Sequence, residues 1–289
     1  MNCRICGGAT RIAWRLGSYN ILECRHCTHR MADVPYLDAV RLYSDDYFLG
    51  GDGEYLDYLS ERTMLIKRGA TYAGILSRFI EKPGRLLDIG AAAGFLLKGL
   101  VKLGWDGSGV EPNEKMAEYG RTQLGLKMFS GTIESYTEIP PKEKYDLICL
   151  VQVIAHFLDP KRVVRSCAGL LNPGGFVLIE TWNWRSLTAR LAGRWWHEYN
   201  PPYVIQWFSK RSLDGLMLGS GFELLAGGRP RKQISGQHAK FLLKKKLKNS
   251  ACGRGIGKIV DLCSDDRLLP YPGGDLFWAL YRKKEEEEN

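Results

Sequence analysis

Two sets of residues carry types and spacings suited to chemistry. Cys3-Arg4-Ile5-Cys6 and Cys24-Arg25-His26-Cys27 are C-x2-C pairs separated by 17 residues. Each pair presents two thiolates from one turn, so Cys3, Cys6, Cys24 and Cys27 suit tetrahedral structural zinc. Redox thiols or adventitious pairing are the alternatives. His26 and His29 read as neighbours of the ligands or as surface residues. The second set is Asp88-Ile89-Gly90-Ala91-Ala92-Ala93-Gly94, with Glu111 further on. Gly90 and Gly94 let backbone approach a ligand, and the following helix start offers unpaired N–H groups. A dinucleotide loop needs G-x-G-x-x-G, but Ala92 and Phe95 stand at its second and third glycines. A carboxylate after the next strand suits a ribose diol, so the pattern fits a nucleoside ligand without a pyrophosphate.

These residues need elements to hold them. Leu86, Leu87 and Ile89 form a short apolar run typical of a buried strand, and Phe95 to Leu103 recur at helical spacing. Residues 107–111, 127–130, 145–151, 176–180, 221–226 and 276–281 read as further strands, with helices over 61–80 and 210–220. Asn172-Pro173-Gly174-Gly175 reads as a sharp turn before the fifth strand. Trp14, Leu16, Tyr19, Ile21 and Leu22 suggest a hairpin between the cysteine pairs.

With Asp88, Gly90, Ala92 and Gly94 standing for D-x-G-x-G-x-G, residues 40–285 resemble the Rossmann-like (class I) S-adenosylmethionine-dependent methyltransferases. The cysteine pairs extend the resemblance to members with an N-terminal zinc ribbon. It implies an α/β fold: a seven-stranded, mostly parallel sheet with helices on both faces and an antiparallel last strand. It further implies that Asp88, Gly90, Ala92 and Gly94 surround the methionine part and that Glu111 holds the ribose hydroxyls. Thr132 and Ile133 then sit beside the adenine, Val151 ends the fourth strand at the cofactor, and Tyr47 helps close the cleft, with packing of the ribbon against the main domain as the other reading of the aromatics in 34–60.

The carboxyl end of the fourth strand is where open α/β sheets place chemistry. There His156 is the candidate general base, with Gln152 to orient it or to bind substrate. A histidine often falls here in the resembling enzymes, but Ala155 replaces the acidic residue that more often precedes it. Residues 181–209 are dense in aromatics interleaved with Arg185, Arg190 and Arg194. They read as a roof over the acceptor, with Trp182, Trp196, His197, Tyr199 and Gln206 as substrate contacts and His238 added from a later segment. Packing of a large core is the other reading of the same tryptophans.

The expected layout is a zinc ribbon at 1–33, a linker and aromatic lid at 34–60, and a methyltransferase domain at 61–284. The domain carries the aromatic insertion 181–209 and a basic helical insertion 239–263, and an acidic tail follows at 285–289. Forty-one basic against 32 acidic residues give a net charge of +9, which favours anionic partners. The lysines at 239–249 suit peripheral membrane contact, nucleic acid or plain solvation. No leader-like segment and no apolar run of membrane length is evident, so a cytoplasmic location is expected, with no transmembrane segment; a homo-oligomer stays open. The expected activity is methylation of a small-molecule acceptor, anionic or aromatic, through an oxygen on a natural-product or sugar-derived metabolite. An RNA methyltransferase and a non-catalytic zinc-bearing scaffold are the rivals.

Overall fold

In the computed structural model the described residues are 1–49, 57–139, 144–230, 233–236, 240, 264, 268–271 and 273–285. The N-terminal hairpin, β1 (Thr10–Leu16) and β2 (Tyr19–Cys24), is followed by β3 (Arg30–Ala32). Two short helices, α1 (Ala39–Leu42) and α2 (Asp45–Phe48), precede the long α3 (Arg62–Leu76). Alternation then runs through β4 (Arg85–Ile89), α4 (Phe95–Val101), β5 (Asp106–Glu111), α5 (Glu114–Leu124), β6 (Lys127–Ser130), α6 (Ile133–Glu138) and β7 (Tyr145–Val151). It continues with α7 (Pro160–Leu170), β8 (Leu171–Trp182), α8 (Leu187–Ala192), β9 (Gln206–Trp207), α9 (Lys210–Leu218) and β10 (Phe222–Gly228). The short pair β11 (Gln233–Ser235) and β12 (Leu268–Pro270) comes before the last strand, β13 (Leu276–Lys283).

The main sheet has seven strands in the order β10-β13-β8-β7-β4-β5-β6. β4 to β8 pair in parallel, and β13 runs antiparallel to both its neighbours, as the family resemblance implied. Side chains alternate across the strands. Leu87, Ile89, Ile148, Leu150, Val177 and Ile179 pack on one core with α7 and α9. Leu86, Leu147, Cys149 and Leu178 pack on the other with α3, α4 and α5. A Cβ at Gly69 of α3 would lie 2.1 Å from the Leu96 carbonyl oxygen, so that glycine lets α3 and α4 touch backbone to backbone.

The sequence expectations need three adjustments. The turn at 172–175 is an irregularity within β8: against β7, pairing jumps from Leu171 to Phe176, with Gly174 at φ 70°. The ribbon does not end at residue 33, because β3 pairs with β9 and makes a four-stranded sheet β1-β2-β3-β9. Residues 181–209 therefore build the ribbon's last strand and a third core, where Trp196 and Trp207 pack with Ile21 and Ala32. The basic insertion 239–263 lies, apart from residue 240, outside the described residues, as does the tail beyond 285. No helix among the described residues is long and apolar enough to cross a membrane.

Candidate active site

A cleft of about 650 Å³ opens over the carboxyl ends of β5, β4, β7 and β8. Three strand spacings separate its outer walls, roughly 14 Å along the sheet. One end is built from β4, its loop and β5. Asp88 is 3% exposed, and burial, then the nearby Glu111, pushes its carboxyl up to about 7. Glu111 is equally buried and is raised to about 7 by desolvation, against the pull of two backbone donors. Its Oε2 accepts the Ala92 N–H at 2.8 Å and its Oε1 the Asn113 N–H at 2.9 Å. Each oxygen keeps a second lone-pair direction, so the carboxylate can also take two hydroxyl donors.

The loop follows from its residues. Gly90 has φ 72°, and an added Cβ would sit 2.4 Å from Val153 Cγ2, so only glycine fits. Ala92 adopts the left-handed region at φ 48°, a strain the Glu111 hydrogen bond helps hold. Thr132, Ile133, Val151 and Tyr47 line the cleft, whereas Gly94 starts α4 and is not among the lining residues. Tyr47 is edge-on to Tyr43 at 5.1 Å and lies tilted against Tyr203 at 5.4 Å. Asn113 ties this aromatic lid to β5: its Nδ2 donates to the Tyr43 carbonyl and to Asp45.

Buried carboxyls that hold their protons to about 7 give a stability contribution with a definite sign. The folded form of Asp88 binds a proton that the unfolded form has lost by about pH 4. Its contribution is full below that pH and gone above about 7. Asp88→Asn is therefore expected to stabilise the cofactor-free protein at pH 8 relative to its effect at pH 5. The difference is on the order of 2–4 kcal/mol, read by urea denaturation at the two pH values.

The sequence reading missed a polar network at the end of β8. Glu180 is fully buried and accepts hydrogen bonds from Arg68 and Tyr72 of α3. Gln152 Nε2 donates to it at 2.7 Å, and the Gln152 N–H donates to the Glu180 carbonyl at 2.8 Å. Arg68 and Gln152 line the cleft, and the Arg68 Nε is buried without a partner. Only an acid closing an apolar strand signalled this site in the sequence.

His156 also lines the cleft, on a 3₁₀ turn (Ile154–His156). Its Nδ1 lies 2.7 Å from the Tyr203 carbonyl oxygen and 3.0 Å from the Tyr43 hydroxyl, and its Nε2 lies 3.0 Å from the Gln152 carbonyl oxygen. Both nitrogens are thus engaged by the protein. Trp182 and His197 line the far end of the cleft with Glu198 and Tyr271. There His197 Nε2 is 3.2 Å from Glu198 Oε1 and 3.1 Å from the Tyr271 hydroxyl.

The other expected substrate residues are elsewhere. Trp196 is buried and donates its indole N–H to Asp275 at 2.7 Å. Tyr199 accepts from Arg30 of the ribbon at 2.5 Å. Gln206 is fully buried, its Oε1 2.7 Å from His29 Nε2 and its Nε2 donating to the Phe157 and Leu158 carbonyls. His29 is likewise fully buried, not at the surface. These aromatic and amide groups join the ribbon to the main domain, for reasons of packing that composition could not reveal. His238 lies outside the described residues.

At the ribbon, the sulfurs of Cys3, Cys6, Cys24 and Cys27 all lie within 4.8 Å of one another. Cys3–Cys27 and Cys6–Cys24 are 3.6 and 3.4 Å apart, against about 3.8 Å for sulfurs tetrahedrally bound to zinc at about 2.3 Å. The Ile5, His26 and Cys27 N–H groups point at Cys3 and Cys24 sulfurs, as donors that stabilise thiolate ligands do.

Comparison with known proteins agrees with this geometry. Residues 64–226 match the family described as "Methyltransferase domain". A ubiquinone biosynthesis O-methyltransferase of Bradyrhizobium diazoefficiens is 29% identical over 133 residues, covering 44% of this chain and 49% of that protein. The chain thus spans about half the length of the curated relatives it matches. A SAM-dependent methyltransferase of Thermotoga maritima superposes with a TM-score of 0.51 at 20% identity, covering 80% of this chain and 96% of that one. A magnesium protoporphyrin IX methyltransferase of Synechocystis with bound SAH gives 0.50 at 11% identity, over 81% and 90% of the two chains. With its match covering more than half of the chain, its sheet order and its Asp88–Glu111 loop geometry, this protein belongs to the methyltransferase-domain family and has the fold of the S-adenosylmethionine-dependent enzymes.

Proposed function

We propose that the protein methylates an oxygen nucleophile on a ring-bearing small molecule, using S-adenosylmethionine. One observation carries the reading: a single cleft joins the Asp88–Glu111 pair to a separate polar wall of His197, Glu198 and Tyr271. When bound, the cofactor supplies a sulfonium methyl already activated for displacement. Glu111 would take the ribose hydroxyls, and the unpartnered Arg68 Nε would meet the methionine carboxylate. The aromatic lid would exclude water, and Trp182 would offer the acceptor ring an apolar face. The curated relatives named as O-methyltransferases favour oxygen as the accepting atom.

The protein's chief task in such a transfer is alignment, with a proton acceptor for the hydroxyl. His197 suits that task better than His156. Glu198 can accept a hydrogen bond from the Nε2–H, which fixes the tautomer whose Nδ1 lone pair, without a partner among the described residues, can receive the acceptor's proton. His156, held at both nitrogens, braces Tyr43 and the 203 backbone beside the lid. His197→Gln is expected to lower kcat about 10²–10⁴-fold with unchanged cofactor affinity, whereas His156→Ala is expected mainly to lower the melting temperature.

The four-cysteine cluster is read as a structural zinc site, because four thiolates at these separations leave no open position for chemistry. Calorimetry with S-adenosylmethionine and its demethylated product tests the cofactor. No saturable binding by folded, metal-replete protein would overturn the enzyme reading. Labelled cofactor incubated with a metabolite extract tests the acceptor, and label appearing only in RNA would replace the small-molecule reading.

A further inference from the structure

Helix α8 and the turn after it carry an unusual surface. Leu187, Leu191 and Trp195 are 71, 80 and 72% exposed. Leu187 and Leu191 form an outward ridge on α8 at four-residue spacing, and Trp195 lies exposed beyond the helix break at Gly193 (φ 53°), on the adjoining 3₁₀ turn (Gly193–Trp195). The opposite face is anchored: Ala189 is buried, and the Thr188 hydroxyl donates to the Gly273 carbonyl. Single exposed apolar side chains are ordinary, but three large ones in a row mark a contact surface.

The ridge is flanked by cations. Arg185, Arg190 and Arg194 are exposed, with the Arg194 guanidinium 4.6 Å from the Trp195 ring centre. Apolar side chains pointing outward, a tryptophan at their edge and arginines alongside are the arrangement of an interfacial amphipathic helix. Tryptophan and arginine both suit the boundary where hydrocarbon meets headgroups, since each has an apolar body and a polar end. The charge selects the partner: arginines without acids among them complement an anionic surface, and the chain as a whole carries +9. The ridge also has a telling position. Trp182 lies just before it and His197 just after it in the chain, and both line the far end of the cleft.

We propose that Leu187, Leu191 and Trp195, flanked by Arg185, Arg190 and Arg194, dock the protein on an anionic lipid bilayer, with the acceptor end of its cleft next to the membrane. The surface shares no residue with the lysine-rich 239–249 stretch, and its docking does not depend on the methyl-transfer reading. An amphipathic acceptor lodged in the bilayer would then reach Trp182 and His197 without crossing open water.

The test is flotation of the full, metal-replete chain with phosphatidylcholine vesicles containing about one-third phosphatidylglycerol, compared with pure phosphatidylcholine. Binding is expected to the anionic vesicles, weakening with salt. Leu191→Glu and Trp195→Glu are each expected to cut it by about tenfold or more, with unchanged far-ultraviolet circular dichroism and melting temperature as the sign that the fold is intact. Lipids brominated on their acyl chains should quench tryptophan emission in the parent, and Trp195→Phe should remove that quenching. Failure of the parent to float, or equal binding by the two glutamate variants, overturns the proposal; the second result assigns binding to another surface of the chain.

Discussion

Glu111→Ala is expected to weaken S-adenosylmethionine binding about 10²–10³-fold in calorimetry, while leaving the protein folded. Two losses add. A carboxylate–hydroxyl hydrogen bond contributes about 1.5–3 kcal/mol, and the ribose diol would make two with Glu111. The side chain also organises its own surroundings, since it holds the Ala92 N–H of the glycine loop and the Asn113 N–H at the start of α5. Without it, Ala92 loses the bond that helps keep it left-handed. Glu111→Gln separates the two effects. The amide retains one acceptor and the shape but presents a donor where a backbone N–H already points, so an intermediate loss is expected. Equal affinity for parent and Glu111→Ala would sink the assignment of the ribose site.

Removing the zinc proposed for the four-cysteine cluster is expected to have the largest effect on stability. Structural zinc contributes on the order of 10 kcal/mol to folding of small four-ligand sites, and beyond the cysteines the first 33 residues bury only Ile5, Ile21, Leu22, Met31 and Ala32 as apolar core. Metal analysis should find one zinc per chain. Cys24→Ala, or prolonged chelation, should lower the melting temperature by about 10 °C or more. The change should not stay local. β3 is hydrogen-bonded to β9, the Trp184 indole donates to the Thr28 carbonyl, and His29 meets Gln206, whose amide donates to the carbonyls of Phe157 and Leu158. That chain of contacts ends one and two residues past His156. Loss of zinc should therefore shift near-ultraviolet tryptophan signals from residues 182–207 along with the ribbon. A metal-free protein with the parent's melting temperature would show that the thiols serve another purpose.

How much was legible depended on whether a feature is local. The strand, loop and helix from Arg85 to Val101 could be read because apolar period, glycine placement and a carboxylate occur within one stretch. The sheet's reversed last strand came only through family resemblance; period alone carries no direction. Glu180 escaped notice because its partners Arg68 and Tyr72 are 112 and 108 residues away, and nothing in a lone strand-end acid announces them. β9 has two residues, too few for any periodicity to register. The tryptophans of 181–209 were ambiguous for a physical reason. Indole serves a core and a ligand wall equally well, and only the neighbouring ribbon decides that Trp196 and Trp207 are inside while Trp182 meets the cleft.

The tether from Asn113 to Tyr43 and Asp45 bears on the order of events in a catalytic cycle. The same residue gives its backbone N–H to Glu111, so whatever settles on that carboxylate is felt by the aromatic flap one hydrogen bond away. With the proposed cofactor on Glu111, such a tether is expected to favour loading of the nucleoside half first and of the second reactant afterwards, at the His197 end of the same cleft. The spent nucleoside would then be the last to leave.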